Sequence, residues 1–339
     1  MKIFIPMAGK GTRLRPFTLT RPKPLLEIIH KPIVEHLINQ ITSTLLIDIE
    51  EIIYILGDEA YFNSSVVDSL TSISNKYNAK TKVYRQLEQL GTGHAIMCAE
   101  ESLSGPSIIA YADTMIQGKV KIDPEVDGML WVKKVENPSS YGVVNLDKNL
   151  NITELIEKPR NFISDLAVVG IYYFKDISFI RDELRNHLQD KLPPGKEYLL
   201  NYGIEKMIEQ KKIFKSQEID TWMDCGTPKL LIESAKTIMK SNKSLSNEGN
   251  FSRQGNVKIN HPVFIGENVI LKDSTIGPYV SIGDNSIISD SIVESTLIYN
   301  NVKVTNAKIQ NSILGSNSIY NSSNKEVFLG DYSQINNDE

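Results

Sequence analysis

The sequence of 339 residues has little cysteine, no long apolar run and no excess of charge of either sign. Its two cysteines, Cys98 and Cys225, argue against a disulfide framework and against a zinc site built from cysteines. No segment approaches the roughly 18 uninterrupted apolar residues that a membrane span needs. The 37 basic and 41 acidic residues leave a formal net charge of −4, which provides no electrostatic footprint for nucleic acid. These absences predict a soluble protein of the reducing cytoplasm, with neither a membrane nor a nucleic acid among its partners.

The composition divides the chain near residue 241. Before this point, short runs rich in Ile, Val and Tyr alternate with longer segments of helical period. Strands that alternate with helices predict an α/β domain with a mainly parallel sheet covered on both faces. From residue 241 to residue 339, 32 of 99 residues are Ser or Asn, which disfavours helices. We therefore predict a first domain over residues 1–240, a polar linker over 241–255 and a second domain over 256–339.

A short repeat runs through the second domain. Aliphatic residues recur there at mostly five- or six-residue intervals: Ile265, Leu271, Ile276, Ile282, Ile288, Ile292, Ile298, Val304 and Ile309. A rung of about six residues cannot bury its own apolar side, so successive rungs must stack to form one core. The spacing resembles the hexapeptide repeat of left-handed parallel β-helices. An irregular β-sandwich with Ser- and Asn-rich turns is the alternative.

A glycine-containing loop follows the first predicted strand. Gly9 and Gly11 let the backbone approach an anion closely while neighbouring N–H groups point into a concavity. The loop is not a P-loop, because Phe4 stands where that motif has its first glycine. Nor is it the dinucleotide fingerprint, because Leu14 replaces the third glycine. By themselves, two glycines also fit an ordinary strand-to-helix turn.

Three basic residues, Arg13, Arg15 and Lys23, lie close to this loop in the sequence. Arginine offers a bidentate fork and lysine a point charge, a combination that suits a polyphosphate. Pro22 and Pro24 flank Lys23, and we expect them to hold its backbone in an extended conformation that aims the ammonium group. The loop and its basic residues together predict a polyphosphate-binding site.

The stretch MAGKGTRLRP, followed by RPKPLLEI, resembles the signature of the sugar-1-phosphate nucleotidylyltransferases. The resemblance implies a Rossmann-like catalytic domain in which Arg13 and Lys23 are catalytic and stabilise the transferring α-phosphate and the departing pyrophosphate. In QLEQLGTGHA, it implies that Gln86 and the Gly91 backbone face the edge of the base. The nucleotide-binding residues implied in this way are Ala8, Gly9, Gly11, Thr12, Gln86, Gly91 and Thr92.

Other segments resemble the metal and sugar sites of the same family. Asp113, at the end of IIAYAD, and Asp224, within WMDCG, correspond to ligands of Mg²⁺. The implied sugar-phosphate residues are Tyr111, Gly142, Glu157, Lys158, Gly170 and Trp222, with Gly142 leaving room for the ring and Glu157 accepting from its hydroxyls. The chain departs from the family at GKEYLLNY, residues 195–202, where many members carry acidic residues. Lys196 in that segment is a hypothetical contact to the sugar phosphate.

The implied reaction joins a nucleoside triphosphate and a sugar 1-phosphate into a nucleotide sugar and pyrophosphate. AVVGIYYF resembles the thymidylyltransferases, LGTGHAI resembles the uridylyltransferases, and PKPL is shared with guanylyltransferases. We expect glucose 1-phosphate and dTTP as substrates, with UTP as the first alternative and GTP as a further one. A catalytically inactive subunit that binds nucleotide sugars is an alternative of another class, and acyl transfer by the repeats, where His261 is the only histidine, is another.

The repeats also predict self-association. Stacked rungs leave open ends that must be capped or paired with another chain. Tyr279, Tyr299 and Tyr320 offer amphipathic contact area of the kind that interfaces favour. We therefore expect a homo-oligomer formed through the β-helix, which itself contributes no chemistry.

Overall fold

The computed structural model describes residues 1–241, 249–322 and 325–336. Contacts divide the chain into two compact units, the first formed by Met1–Gly9 with Glu35–Trp222 and the second by Lys10–Val34 with Met223–Glu339. Of the predicted linker, 241–255, residues 242–248 lie outside the described residues, and the division into domains 1–240 and 256–339 stays a prediction. In the described part of the chain, no helix is both long enough and apolar enough to cross a membrane.

The secondary structure up to residue 241 alternates strands and helices. The strands are β1 (Lys2–Pro6), β2 (Glu27–Ile28), β3 (Lys31–Pro32), β4 (Glu51–Leu56), β5 (Lys80–Arg85), β6 (Ser107–Ala110), β7 (Thr114–Gln117), β8 (Gly128–Lys134), β9 (Gly142–Leu146), β10 (Ile152–Glu157), β11 (Leu166–Phe174), β12 (Phe214–Glu218) and β13 (Thr221–Asp224). The α-helices are α1 (Ile33–Leu45), α2 (Ser64–Asn75), α3 (Thr92–Met97), α4 (Ser178–His187), α5 (Leu200–Glu209) and α6 (Pro228–Ser241). Short 3₁₀ turns cover Thr12–Leu14, Phe17–Leu19, Lys23–Leu25, Glu100–Ser102 and Pro138–Ser140.

The first unit is built on a mixed sheet in the order β10-β9-β11-β6-β1-β4-β5, with β8 beside β11 and β12 beside β8. β1 is parallel to β4 and β6, and β4 is parallel to β5. Every residue of β4 and β6 is buried, as expected of parallel strands covered on both faces. The predicted α/β fold is confirmed. Because β1, β4, β5 and β6 run the same way, the loops that follow them lie along one edge of the sheet, where open α/β sheets bind ligands.

The described repeats of the second unit wind into a parallel β-helix. Its strands are β14 (Ser252–Gln254), β15 (Lys258–Ile259), β16 (Val263–Ile265), β17 (Ile270–Lys272), β18 (Thr275–Ile276), β19 (Val280–Ile282), β20 (Ile287–Ser289), β21 (Ile292–Glu294), β22 (Leu297–Ile298), β23 (Lys303–Thr305), β24 (Lys308–Gln310), β25 (Ile313–Leu314), β26 (Ile319–Asn321), β27 (Phe328–Leu329) and β28 (Gln334–Asn336). They form three all-parallel sheets, in the orders β14-β17-β20-β23-β26-β28, β15-β18-β21-β24 and β16-β19-β22-β25-β27. The predicted stacking of the repeats into a parallel β-helix is confirmed, and the β-sandwich alternative is wrong.

One predicted core position of the β-helix is wrong. Ile292 is 47% exposed, whereas its neighbour Val293 is fully buried. Val293 pairs with Ile276 on one side and Ile309 on the other, so it occupies the inward position of its coil. Side chains of a strand alternate between its two faces, so an offset of one residue exchanges inside for outside.

Asparagine is frequent in this unit because the coils turn through left-handed backbone conformations. Asn268, Asn285, Asn301 and Asn317 have φ of 56°, 57°, 58° and 59°. Asparagine tolerates this region better than other residues that carry a Cβ. Their side chains also form pairs between coils, with Asn268 Nδ2 3.2 Å from Asn285 Oδ1 and Asn301 Nδ2 3.1 Å from Asn317 Oδ1. The high asparagine content, which disfavours helices, therefore suits the turns between the strands of the β-helix.

Two of the tyrosines predicted to meet a partner chain are instead buried. Tyr320 is fully buried in the coil core, and Tyr299 is 4% exposed. The Phe17 ring packs edge-on against Tyr299 at 6.5 Å between centroids, and the Arg21 guanidinium lies over the Tyr299 ring. Only Tyr279 of the three is partly exposed, beside the Lys240 ammonium. Tyr299 and Tyr320 therefore contribute to folding of this unit, and their assignment as contact area was wrong.

Residues 10–34 pack against the coils within the second unit. The His30 ring stacks on Phe264 at 5.4 Å between centroids. At the other end of the segment, Thr20 Oγ1 donates to Asp331 Oδ2 over 2.6 Å. The loop predicted to bind phosphate is thus followed by a segment that uses the β-helix as its support.

Candidate active site

In the first unit, Gln86 lies directly after β5, at the edge of the sheet that carries the loops following β1, β4 and β6. The residue is 6% exposed, and its backbone N–H donates to the Leu56 carbonyl over 2.7 Å. Its amide nitrogen lies 3.0 Å from the Gly91 carbonyl oxygen and 3.1 Å from His94 Nδ1. Gln86 is therefore held in one place from both its backbone and its side chain.

Gly91 is required by a close approach of two backbone segments. Its φ is +118°, and a Cβ on it would lie 2.6 Å from the Tyr198 carbonyl oxygen and 2.8 Å from the Tyr198 nitrogen. Thr92, the first residue of α3, accepts from the Leu200 N–H through its hydroxyl over 3.0 Å. The segment around residue 198, which departs from the family pattern, therefore covers the loop predicted to read the base. Lys196 is exposed in that segment, and its contact with the sugar phosphate stays a prediction.

The loop after β1 is held through its backbone. The Ala8 carbonyl accepts from Gln89 Nε2 over 3.2 Å. A Cβ on Gly57 would lie 2.7 Å from the same carbonyl oxygen, so the loop after β4 also touches it. Around Gly9, by contrast, a Cβ would meet no atom within 4 Å. Gly9 thus borders open space, as a loop that receives a ligand requires.

A second group of residues in the first unit surrounds Gly142 and Glu157. A Cβ on Gly142 would lie 2.7 Å from the Asn201 amide nitrogen and 3.0 Å from Glu157 Oε2. Asn201 Nδ2 donates to that carboxylate oxygen over 2.8 Å, and the Tyr172 hydroxyl donates to Asn201 Oδ1 over 3.3 Å. Asn201 and Tyr172 were missed by the sequence analysis. Asn201 lies in the departing segment GKEYLLNY, which was the available signal for it.

Tyr111 connects this group to the loop predicted to read the base. Its hydroxyl hydrogen-bonds with Thr92 and with Tyr172, and its ring packs edge-on against Tyr172 at 5.7 Å. Burial raises the pKa of Tyr111 to about 12, so the hydroxyl keeps its proton at neutral pH. A Cβ on Gly170, where φ is +84°, would lie 2.6 Å from the Tyr111 ring. Gly170, which was predicted to lie near the sugar phosphate, therefore makes room for the Tyr111 ring.

The remaining predicted residues of the first unit are more exposed. Lys158 is exposed and lies 3.6 Å from Glu157 Oε1 through its ammonium group. Trp222 packs edge-on against Tyr141 at 4.9 Å, and its Nε1 is buried without a hydrogen-bond partner among the described residues. Asp113 is half-buried in the loop between β6 and β7.

The second unit carries the predicted catalytic cations. Gly11 has φ of +60° and precedes the 3₁₀ turn that contains Thr12 and Arg13, both of which are exposed. A Cβ on Gly11 would lie 2.9 Å from Lys23 Cβ, and the Thr18 hydroxyl donates to the Gly11 carbonyl over 2.9 Å. The glycine turn and Lys23 are therefore in direct contact.

The backbone of Lys23 differs from the prediction. Pro22 is extended, with φ of −60° and ψ of 142°, but Lys23 begins a 3₁₀ turn. The Leu26 N–H donates to the Lys23 carbonyl over 3.0 Å, which closes that turn. The hydrogen bond outweighs the usual preference of a residue before proline for extended backbone.

Asp224 and Arg13 meet beside Gly226 in the second unit. A Cβ on Gly226 would lie 2.8 Å from Asp224 Oδ1 and 3.4 Å from Arg13 Nη2. Asp224 ends β13, and the next residue, Cys225, is fully buried with its thiol 3.7 Å from the Ser234 hydroxyl. A carboxylate and a guanidinium thus lie together, and the absence of a side chain at Gly226 permits this.

The chain is similar to several known proteins. A family model for nucleotidyl transferases matches residues 4–241. The bifunctional protein GlmU of Methanococcus vannielii is 28% identical over an alignment that covers 93% of this chain and 78% of that protein. The glucose-1-phosphate thymidylyltransferase of Streptomyces antibioticus is 26% identical, with 99% of both chains covered.

The fold is shared with a solved structure. The crystal structure of a UDP-glucose pyrophosphorylase complexed with UDP-glucose superposes with a TM-score of 0.56 at 24% identity, over 71% of this chain and 99% of that one. Since the family model spans more than half of the chain, this protein belongs to the nucleotidyl transferase family, among the sugar-1-phosphate nucleotidyltransferases.

Proposed function

We propose that the protein transfers a nucleoside monophosphate from dTTP to glucose 1-phosphate and releases pyrophosphate, with UTP as the alternative nucleotide. The observation that supports this most is the hydrogen bonding of the Gln86 amide. Both hydrogens of its nitrogen have acceptors nearby, the Gly91 carbonyl and His94 Nδ1. Its carbonyl oxygen remains to accept from a base. Thymine, uracil and guanine carry a ring N–H on that edge, whereas adenine and cytosine carry a ring nitrogen that only accepts.

The group around Glu157 supports a sugar as the second substrate. A carboxylate fixed by Asn201 can accept hydrogen bonds from ring hydroxyls, and charged acceptors form the stronger bonds. Gly142 leaves the adjoining surface without a side chain. Lys158 supplies a positive charge beside Glu157 that can meet the phosphate of the sugar. Trp222 and Tyr111 are proposed to border the same substrate.

In the proposed reaction, a phosphate oxygen of the sugar 1-phosphate attacks the α-phosphorus of the nucleotide. A new P–O bond forms there as the bond to the β-phosphate oxygen breaks, and pyrophosphate leaves. The attacking oxygen is anionic at neutral pH, so the reaction needs no protein nucleophile; it needs positioning and neutralisation of charge. Arg13 and Lys23 are proposed to stabilise the charge on the α-phosphate and the pyrophosphate. Ala8, Gly9, Gly11 and Thr12 supply the loop around the phosphates.

The residues Asp113 and Asp224 fit Mg²⁺ by their donor chemistry, because carboxylate oxygens are the ligands it prefers. Among the described residues, no group of three or more His, Cys, Asp or Glu side chains could hold a metal ion. Mg²⁺ usually takes only one or two protein carboxylates and completes its coordination shell with phosphate oxygens and water. When bound, the ion would neutralise phosphate charge.

The test is a substrate panel. Pyrophosphate release is measured with each of dTTP, UTP, GTP, CTP and ATP against glucose, N-acetylglucosamine and mannose 1-phosphates in the presence of Mg²⁺. We expect the highest kcat/KM for dTTP with glucose 1-phosphate and low values for CTP and ATP. As a control that the activity comes from this site, Arg13→Ala should lower kcat by about 10²-fold or more. Release from no pair, or a preference for ATP, would refute the proposal.

A further inference from the structure

The base-reading residue Gln86 has a partner that the family motif does not explain. His94 lies on α3, one turn after Gly91, and its Nδ1 is 3.1 Å from the Gln86 amide nitrogen. The same nitrogen is 3.0 Å from the Gly91 carbonyl oxygen. The Gly91 carbonyl and the His94 ring therefore both lie within hydrogen-bond distance of the one NH₂ group of Gln86.

The protonation of His94 follows from this geometry. A carbonyl oxygen can only accept, so the nitrogen end of the Gln86 amide must face Gly91. The second hydrogen of that nitrogen then points to His94 Nδ1, which must be unprotonated, since two donors would repel each other. The ring hydrogen of the neutral imidazole consequently resides on Nε2. Burial lowers the pKa of His94, with Glu88 acting in the opposite direction, and so favours the neutral ring.

The Gln86 amide is thereby held at two points. Its carbonyl oxygen accepts no hydrogen bond from any residue in the described ranges, although the residue as a whole is 6% exposed. If the amide nitrogen bonded only to the Gly91 carbonyl, the amide group could turn about that hydrogen bond. Its second hydrogen, which is buried, would then have no acceptor. Leaving a buried donor unsatisfied is costly, so other side-chain positions would become populated.

We propose that His94 is a positioning residue for base selection, which fixes the Gln86 amide so that its oxygen faces a base bearing a ring N–H. This inference rests on the proposed role of Gln86 and adds the residue that enforces it. It explains why a neutral histidine lies on the first turn of α3. Discrimination against cytosine depends on that orientation, because cytosine and the Gln86 oxygen would both be acceptors.

The experiment compares His94→Leu, which removes the acceptor, with His94→Asn, whose Oδ1 can replace Nδ1. For each protein, kcat/KM is measured with dTTP and with CTP, and melting curves establish that the variants are folded. We expect His94→Leu to lower the dTTP-to-CTP ratio by about tenfold, the usual weight of one hydrogen bond to a fixed group. His94→Asn should keep the ratio within about threefold of the native protein. Equal loss with both nucleotides in His94→Leu, as a merely structural role would cause, would overturn the proposal.

Two further measurements separate this inference from the proposed activity. Calorimetric titration with dTTP and with CTP gives the same ratio from dissociation constants, so it tests His94 even if no turnover is found. ¹⁵N NMR of the native protein reports the tautomer of each histidine. The proposal requires an Nε2–H tautomer for His94 near neutral pH, assigned by its loss in His94→Asn. An Nδ1–H tautomer would refute it, whereas absence of turnover with every substrate pair would refute only the proposed function.

Discussion

Asn201 shows how one side chain can organise a site without carrying charge. Its amide nitrogen donates to Glu157 and its oxygen accepts from Tyr172, so both ends are used. It is 6% exposed and adjoins Gly142, whose lack of a Cβ leaves room for it. The orientation of the Glu157 carboxylate therefore depends on a residue 44 positions away in the sequence.

Replacing this amide should affect the sugar more than the nucleotide. In Asn201→Ala, Glu157 loses a hydrogen bond and gains freedom, so we expect KM for glucose 1-phosphate to rise about tenfold. KM for dTTP should change less than threefold. Tyr172→Phe, which removes the hydroxyl that donates to Asn201, should give a smaller change in the same direction. Steady-state kinetics with each substrate varied in turn would decide, and an equal rise of both KM values would contradict the assignment.

Helix α5 carries a carboxylic acid, Glu205, whose charged form is disfavoured by burial. Burial raises the pKa of Glu205 to about 7, and repulsion from Glu209 adds to this. The folded protein therefore holds this proton more tightly than the unfolded chain. Where that is so, the free energy of unfolding falls as the pH rises from about 4.5 to about 7, and it stays level above that.

The variant Glu205→Gln should remove this loss of stability. We expect it to be more stable than the native protein at pH 8, by ~1–2 kcal/mol after allowance for partial exposure. That corresponds to a few degrees in Tm for a unit of this size. The difference should shrink as the pH is lowered to 4, where the native carboxyl is protonated in both states. Thermal unfolding at several pH values would check this, and a difference independent of pH would contradict it.

The segment 10–34 depends on the β-helix for its position. The Asp331 side chain, 4% exposed, accepts from Thr20 and lies 3.6 Å from the Arg21 guanidinium. Its other oxygen accepts from the Ser316 N–H over 2.7 Å. One carboxylate therefore joins a coil to the segment that follows the catalytic Arg13 of the proposal.

We expect Asp331→Ala to destabilise the protein and to lower turnover together. Loss of these bonds should cost ~2 kcal/mol, seen as a fall in Tm of several degrees. Because the segment also includes Lys23, kcat should fall about tenfold or more, with little change in KM for the sugar phosphate. Asp331→Asn keeps one acceptor oxygen, which can serve the Ser316 N–H, but replaces the acceptor for Thr20 with a donor, so its Tm and kcat should lie between those of the native protein and those of Asp331→Ala. A Tm change without any change in kcat would show that the contact supports folding only.

For the whole molecule, self-association through the coils stays a prediction, now with a more specific surface. On the outer side of the six-stranded sheet, Ile287 and Ile319 are each 38% exposed. Lys303 lies in register between them. The two exposed isoleucines, on either side of this lysine, offer apolar area for contact with another chain.

Light scattering of the intact chain should give a multiple of 38.1 kDa. The double variant Ile287→Glu with Ile319→Glu should reduce the mass to that of one chain, because burying two carboxylates at an interface is costly. Ile292→Glu, on the four-stranded sheet, is the matched control and should leave the mass unchanged. A native protein that is monomeric at micromolar concentration would refute the oligomer.

Much of the fold follows from patterns that neighbouring residues carry. The alternation of apolar runs with helical segments predicts the parallel sheet, and the short aliphatic interval predicts the stacked coils. The glycine turn at Gly9 and Gly11, with basic residues next to it, predicts a loop for phosphates. These features depend on residues within a few positions of one another, so the sequence is sufficient to find them.

Only the tertiary structure decided which distant side chains meet. The choice of Val293 over Ile292 for the coil core depends on register with the coils above and below. The Asn201–Glu157 pair spans 44 residues, and the Thr20–Asp331 bond spans 311. No local period encodes such pairs, because they arise when whole elements pack and close-packed interiors admit few arrangements. The sequence by itself therefore determined the elements and the chemistry they can carry, and packing determined which residues hold that chemistry in place.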